Sequence, residues 1–183
     1  MNKYLRALIH IPCGILKMGI NKMVHGSAFR GTLVCAISPL TEISMDKGGK
    51  LEIGDSFRMR DGAALRVRKS GICKIGKNVS LNSNNIIACH ESVTIGDNVQ
   101  FSPNVQIYDH DHDYRAEGGI SAMQYKTAPV VIGNDCWIGA NTVILRGTEL
   151  GDNCVVGAGC VLKGEFPAGS VIVQKRETTV RQL

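Results

Sequence analysis

Apolar residues recur at every sixth position over most of this chain, and this period constrains the fold more than any other feature. The longest run in one phase is Ile132, Ile138, Ile144, Leu150, Val156 and Leu162. Shorter runs in other phases are Ile53, Met59, Leu65; Ile75, Leu81, Ile87; and Ile95, Phe101, Ile107. This period fits neither an α-helix, with its 3.6 residues per turn, nor a single long strand with alternating side chains. It indicates a chain that turns a corner after each unit and points one aliphatic side chain inward on each side.

Three such units complete one turn of a triangular coil, so the repeat predicts an all-β fold, a parallel β-helix of at least five stacked turns. An ordinary β-sandwich of short strands is the alternative, but it does not explain a run of units that stays in phase. Glycine and asparagine follow many of the apolar positions, and both tolerate the backbone angles of tight corners. We expect corner positions at Asn78, Asn98, Asn134, Asn141 and Asn153.

The N-terminal segment has a composition of its own. Residues 1–41 contain Lys3, Arg6, Lys17, Lys22 and Arg30 but no acidic residue, whereas the rest of the chain is balanced; the formal net charge is +5. Residues 1–28 predict one or two short helices broken near Pro12. The segment is too interrupted for a membrane span and lacks the cleavage site of a signal peptide. It is either a helix packed on the side or end of the β-helix, or a basic interfacial helix that contacts an anionic membrane.

We therefore divide the chain into a basic amphipathic helical segment (1–28), a β-helix domain (29–174) and a C-terminal tail (175–183). The cysteines at positions 13, 35, 73, 89, 136, 154 and 160 are odd in number and form no CxxC pair. This favours a reducing cytoplasm and small core or corner positions for Cys136, Cys154 and Cys160. No basic stripe with interleaved aromatic residues suggests a nucleic-acid partner.

The repeat stops between Ile107 and Ile132, and we expect an extruded loop over residues 109–130. Its sequence opens with Asp109-His110-Asp111-His112-Asp113, the densest titratable cluster in the chain. A histidine flanked by carboxylates can serve as a general base. Alternate side chains of an extended segment share a side, so His110 and His112 suit either acid-base chemistry or a metal, with His90 as the third candidate ligand. A solvated loop without function is the third interpretation.

Three motifs together resemble the hexapeptide-repeat acyltransferases, in particular the galactoside and maltose O-acetyltransferases and their relatives that acetylate cell-surface polysaccharides. The motifs are VTIGDNVQFSPNVQIYDHDHDY (Val93–Tyr114), PVVIGNDCWIGANTVIL (Pro129–Leu145) and VVGAGCVLKG (Val155–Gly164). The resembling stretch runs from about Ile75 to Pro167. The resemblance implies a left-handed β-helix, a homotrimer with active sites between subunits, and acetyl-CoA as the acetyl donor, without a metal.

The resemblance also implies roles for individual residues. The position that matches the family's general base is His112, with His110 as the runner-up, and Asn82 matches an assisting asparagine. Positions near the bound CoA fall on Trp137, Ala140, Ala158 and Lys163. The family often has an acidic pair just before the VTIG motif that contacts the acceptor, whereas this chain has Cys89, His90 and Glu91.

The resemblance therefore implies an acetyl-CoA-dependent O-acetyltransferase that acts by direct general-base transfer on a saccharide hydroxyl, in a cell-surface polysaccharide or its precursor. Asp109, Asp111 and Asp113 are candidates for orienting His112. Several alternatives stay open: another small acceptor such as an antibiotic, serine or an amino sugar; ping-pong transfer through Cys89 or Cys136; a trimeric scaffold without activity; and a metal-dependent hydratase. If the N-terminal segment touches a membrane, the acceptor could be a lipid-linked glycan.

Overall fold

A computed structural model describes residues 3–175, 177 and 179–181, so part of the predicted helical segment and of the C-terminal tail lies outside the described residues. The chain begins with one α-helix, α1 (Lys3–His25), and a short 3₁₀ helix (Gly26–Ala28). A parallel β-helix of about six turns follows. One antiparallel hairpin and a second 3₁₀ helix (Gly119–Ala122) extend from it. The predicted all-β class and β-helix architecture are confirmed.

The strands form three faces, which the chain visits in the order I, II, III. Face I contains β1 (Phe29–Gly31), β4 (Lys50–Ile53), β7 (Ile72–Ile75), β10 (Ser92–Ile95) and β15 (Val130–Ile132). Face II contains β2 (Ala36–Ile37), β5 (Arg58–Met59), β8 (Ser80–Leu81), β11 (Gln100–Phe101), β16 (Trp137–Ile138), β18 (Val155–Val156) and β20 (Val171–Ile172). Face III contains β3 (Glu42–Met45), β6 (Ala64–Val67), β9 (Ile86–Cys89), β12 (Gln106–Tyr108), and the first halves of β17 (Val143–Leu150) and β19 (Val161–Phe166).

The aliphatic residues of the repeat form the core, as predicted. Every residue in the four runs is at most 4% exposed. Parallel pairing keeps them in register from turn to turn: Phe101 pairs with Leu81 and with Ile138, for example. All seven cysteines are free thiols, and six are buried, including the three that were expected in the repeats. Because each turn buries its apolar side chains against its neighbours, the stability of the coil is shared along its axis.

Asparagines occupy left-handed backbone positions at the corners, as expected for all but one of the predicted residues. Asn78, Asn98, Asn141 and Asn153 have φ angles between 56° and 60°. At the remaining corner the left-handed residue is Asp135 (φ 56°), not Asn134. The Asn134 side chain instead accepts a hydrogen bond from the Asp97 backbone N–H (2.8 Å). A one-residue error of this kind arises because asparagine and aspartate both suit such positions.

Helix α1 covers the N-terminal end of the coil, packing against β1 and β2. Met18 is fully buried, and a Cβ at Gly14 would lie 1.9 Å from the Cys35 carbonyl oxygen, so glycine permits the close approach. The Lys17 ammonium donates to the carbonyls of Ser38, Pro39 and Thr41, which belong to the first turn.

The predicted break near Pro12 is wrong. The helix continues through this residue, whose ring lies on the exposed side. Proline there removes one helical hydrogen bond and crowds the carbonyl four residues earlier, but the buried side chains of His10 and Met18, on either side of Pro12, pack the helix as one element. Of the two interpretations of the N-terminal segment, a helix packed on the end of the β-helix therefore describes one side of α1. Within the described residues, no helix is long and apolar enough to cross a membrane.

Candidate active site

The predicted loop leaves the coil at the corner between faces III and I and folds into an antiparallel hairpin. Strand β13 (His110–His112) pairs with β14 (Tyr125–Thr127). In this register His110 is opposite Thr127, and His112 is opposite Tyr125. The hairpin returns to the coil where the Ala128 N–H donates to the Asp109 carbonyl (3.0 Å). The histidines are therefore held on a paired strand rather than on an irregular loop.

Asp109 anchors the base of this hairpin. Its carboxylate is fully buried and accepts hydrogen bonds from the backbone N–H groups of His90, Glu91 and Ser92, at 2.7–3.0 Å. It also lies 3.2 Å from His110 Nδ1. Burial raises the pKa of Asp109, but the hydrogen bonds from the His110 ring and from the His90 and Glu91 amides outweigh it and lower the pKa overall. The buried charge is retained because N–H donors surround it.

Four rings form a cluster above this carboxylate. The His110 ring stacks on His90 with the centroids 3.6 Å apart, and its side chain is 13% exposed. Tyr125 contacts all three histidine rings, at centroid distances of 4.5 Å to His90, 5.4 Å to His110 and 4.7 Å to His112. Burial lowers the pKa of His90, and the neighbouring His110 lowers it further. His112 lies at the exposed edge of the cluster, whereas His110 is fixed inside it.

The sequence placed three carboxylates near His112, but the structure gives each a different partner. Asp109 contacts His110, Asp111 accepts from Arg146 Nε (2.6 Å), and Asp113 pairs with Lys126 Nζ (3.1 Å). Among the described residues, none of the three is bonded to His112. The Asp111 pair attaches β13 to β17, and the Asp113 pair attaches the residue after β13 to β14, so these carboxylates hold the hairpin in place. The sequence could not separate their roles because all three have the same local pattern.

The two thiols considered as nucleophiles, Cys89 and Cys136, are buried and poorly suited to that role. A hydrogen bond with Cys73 and burial raise the pKa of Cys89 well above its usual range. Burial likewise raises the pKa of Cys136. The thiolate is the reactive form of cysteine, so neither residue suits ping-pong transfer. Among the described residues, no group of three or more His, Cys, Asp or Glu side chains is arranged to hold a metal ion.

Three of the four residues predicted near CoA, Trp137, Ala140 and Ala158, lie along the corner between faces II and III. Ala140 and Ala158 occupy the same corner one turn apart, where the Gly159 N–H donates to the Ala140 carbonyl (2.7 Å). Trp137 precedes this corner on face II; it is 56% exposed, and its Nε1 donates to Ser102 Oγ (3.1 Å). Trp137, Ala140 and Ala158 thus form one surface strip, which we call the corner strip. Lys163 is exposed on β19 but lies five residues past Ala158, at the other edge of face III, so it does not belong to this strip.

Asn82 lies at the same II/III corner, below the corner strip, with its side-chain oxygen accepting from the Ser83 N–H (2.9 Å). The histidine hairpin is at the other edge of face III. Arg146, which holds the hairpin, follows Ala140 by six residues along the chain that crosses this face. At ~3.3 Å per strand residue this is about 20 Å. One chain therefore does not bring Asn82 or the corner strip to its own His112.

Sequence reasoning missed Tyr125 and Arg146 and did not foresee that His90 stacks under His110. Tyr125 is not part of any repeat, and Arg146 lies many residues after the hairpin in the sequence, so no local pattern connects either residue with the histidines. The alternation of polar and charged residues in 109–113 could have suggested the strand β13, but its pairing partner had no comparable pattern.

The comparisons with known proteins agree with this fold. A family model described as the hexapeptide repeat of succinyl-transferase matches residues 129–163. A putative lipopolysaccharide biosynthesis O-acetyl transferase, WbbJ of Escherichia coli (strain K12), is 33% identical over 132 residues, which cover 68% of this chain and 67% of that protein. The galactoside O-acetyltransferase of the same strain is 39% identical over 97 residues, covering 53% of this chain and 47% of that protein. The chain thus spans two thirds of the first relative and about half of the second.

A solved structure of AntD, an N-acyltransferase from Bacillus cereus in complex with dTDP and 3-hydroxybutyryl-CoA, superposes with a TM-score of 0.64 at 21% identity. The match covers 82% of this chain and 80% of that chain and shows the fold alone. The six-residue repeat, the sequence motifs around the hairpin and the similarity to the first relative over 68% of the chain together define the class of protein. This chain belongs to the hexapeptide-repeat acyltransferases.

Proposed function

We propose that this protein transfers the acetyl group of acetyl-CoA to a hydroxyl group of a saccharide, a unit of a cell-surface polysaccharide or its precursor. The observation that carries this proposal is the hairpin, which presents His112 at the exposed edge of a ring cluster anchored by buried Asp109. The O-acetyltransferase names of the two Escherichia coli relatives support the reaction class. A scaffold without activity would have no need for a buried carboxylate that orders two histidines.

His112 is the general base in this proposal. It removes the proton from the acceptor hydroxyl while the oxygen attacks the carbonyl carbon of the thioester. The tetrahedral intermediate then collapses with cleavage of the C–S bond, and the imidazolium returns the proton to the CoA thiolate. The thioester is already activated, so no covalent enzyme intermediate is needed. The raised pKa of Cys89 and of Cys136 agrees with direct transfer.

His110 acts through its neighbours rather than on the substrate. Its ring is fixed on one side by Asp109 and stacked on His90, and it contacts Tyr125, which in turn contacts His112. The chain of contacts limits the orientations that His112 can adopt. Pre-positioning of a catalytic group in this way contributes to rate without contact to the reacting atoms.

The working site contains parts of two subunits. The corner strip and Asn82 lie across face III from the hairpin of the same chain, so a neighbouring copy supplies them in a cyclic trimer. CoA lies along the corner strip, with Trp137 beside it and with the small side chains of Ala140 and Ala158 allowing close approach. Lys163 lies across face III from this strip, where it offers a positive charge on the side of the hairpin. Asn82 orients the acceptor or the base of the adjacent subunit.

The test is acetyl-CoA consumption, followed by thiol release, with a panel of mono- and oligosaccharides that includes amino sugars. We expect turnover with at least one hydroxyl acceptor, and we expect His112→Ala to lower kcat by about 10²–10⁴. Binding of acetyl-CoA without turnover would point to a polymeric or lipid-linked acceptor. A His112→Ala variant with full activity, or a protein that binds no acetyl-CoA, would contradict the proposal.

A further inference from the structure

The outward side of α1 is a continuous apolar surface. Gly14 faces the coil, and Leu5 and Met23, nine residues to either side, lie on the opposite side of a helix with 3.6 residues per turn. Leu8 and Leu16 lie beside them, and these four side chains are 51–85% exposed. Ile20 and Val24, 49% and 67% exposed, widen the surface. An apolar helix surface of this extent marks a protein or membrane contact.

Basic residues border this apolar surface. Arg6 is partly exposed at its edge, and with Arg60 and His10 it lines a cleft of about 250 Å³ between the helix and the coil; Asp61 and Ser83 complete the lining. Lys22 lies near the other end of α1, with its ammonium 3.2 Å from the Phe29 carbonyl. No acidic residue occurs before Glu42, which Arg66 already pairs. The end of the molecule that presents the helix thus combines apolar and positive character.

We propose that this surface of α1 docks on an anionic lipid bilayer, with the helix lying in the interface plane. Helices with a wide apolar side and flanking lysine or arginine bind in this way. A second copy that meets this surface with its own α1, in a two-fold contact, is a poorer occupant, because the same basic residues would come together. The helix is held to the coil by Met18, Gly14 and Lys17, so its outward side stays available. The proposal does not depend on the acyl transfer.

The experiment is sedimentation of the purified full chain with vesicles that contain phosphatidylglycerol and with vesicles of phosphatidylcholine alone. We expect binding to the anionic vesicles that weakens between about 0.1 M and 1 M salt. Leu8→Gln/Leu16→Gln/Met23→Gln should lower the partition coefficient at least about 1,000-fold, since each of the three buried side chains contributes roughly tenfold or more. Arg6→Gln/Lys22→Gln should lower it about 25-fold on anionic vesicles only, about fivefold per charge.

Val171→Gln/Val173→Gln is the matched control, because these valines are 72% and 69% exposed at the opposite end of the coil. This variant should bind like the unmodified protein. Circular dichroism and the mass in solution verify that each variant is folded and assembled. Wild-type protein that stays in the supernatant would overturn the proposal. So would a triple glutamine variant that binds as well as wild type, or one whose only change is a smaller assembly, which would identify a contact between copies.

Discussion

At the scale of single residues, Asp109 distinguishes this site from an ordinary loop. One carboxylate ends the repeat, orders the backbone of residues 90–92 and holds His110. The sequence identified it only as one of three equivalent acids. Its place under the hairpin depends on the stacking of one turn on the next, which the local sequence does not encode. The importance of His110 and His112 was predictable from the sequence, because they lie in the segment where the six-residue repeat stops.

Asp109→Asn should lower the free energy of unfolding by about 2–4 kcal/mol at neutral pH, because an amide cannot accept all the N–H groups that point at the site. The pKa of Asp109 is lowered from the usual 3.8 of an aspartate carboxyl. The ionised form therefore contributes its full stability above that usual pKa, and the contribution is lost as pH falls through the lower folded-state pKa. The difference between variant and wild type should shrink below about pH 4. Denaturant unfolding at several pH values and one protein concentration measures it.

Glu117→Gln, an exposed change in the same loop, is the control and should leave stability unchanged. If the difference in unfolding free energy between wild type and Asp109→Asn stayed the same down to low pH, the surrounding N–H groups would not be stabilising the negative charge of Asp109.

The two histidines should respond differently to substitution. His112→Ala should abolish the ionisation that limits kcat/KM at low pH, whereas His110→Ala should keep that ionisation and lower kcat by a smaller factor of about 10. The pH profiles of the two variants check this. Loss of the ionisation in His110→Ala but not in His112→Ala would exchange their roles.

At the scale of elements, the repeat predicted the β-helix almost completely, while α1 was predicted less well. Each six-residue unit contains the residues that form its own corner and the residue that points into the core. The local sequence is therefore enough to predict the tertiary structure of the coil. Pro12 misled the prediction because its local preference is to end a helix, whereas the packing of α1 on the coil, through residues such as His10 and Met18 on either side of Pro12, favours one continuous helix. The hairpin partner β14 was not predicted, because antiparallel pairing across a long loop leaves little local pattern.

Gly14→Ala should loosen α1 from the coil. Its Cβ would lie 1.9 Å from the Cys35 carbonyl oxygen, which is backbone and can yield only if the helix moves. We expect a loss of about 1–3 kcal/mol, the usual cost of overpacking. Gly19→Ala, on the same helix with nothing within 4 Å of the new Cβ, should instead stabilise by up to about 1 kcal/mol through helix propensity. Thermal unfolding of both variants at one protein concentration measures these changes in stability. Equal changes in stability for the two variants would contradict the close docking of α1 on the coil.

At the scale of the whole molecule, the two parts of the proposed site lie at different corners of the coil. The III/I corner carries the histidine hairpin, the II/III corner carries the proposed CoA strip, and the width of face III sets the distance between them. The sequence identified residues of both corners, but it could not show that they lie on opposite edges of face III in one chain. This separation is the physical reason for proposing an assembly in which neighbouring copies complete each other's sites.

The most direct test of the shared site is acetyl transfer by mixed trimers. His112→Ala subunits and Asn82→Ala subunits, each of low activity alone, are unfolded, combined in equal amounts and refolded together. If one subunit supplies the histidine and its neighbour the asparagine, about a quarter of the sites in random trimers are intact, and roughly a quarter of wild-type activity should return. Mixtures no more active than the separate variants would contradict the shared site.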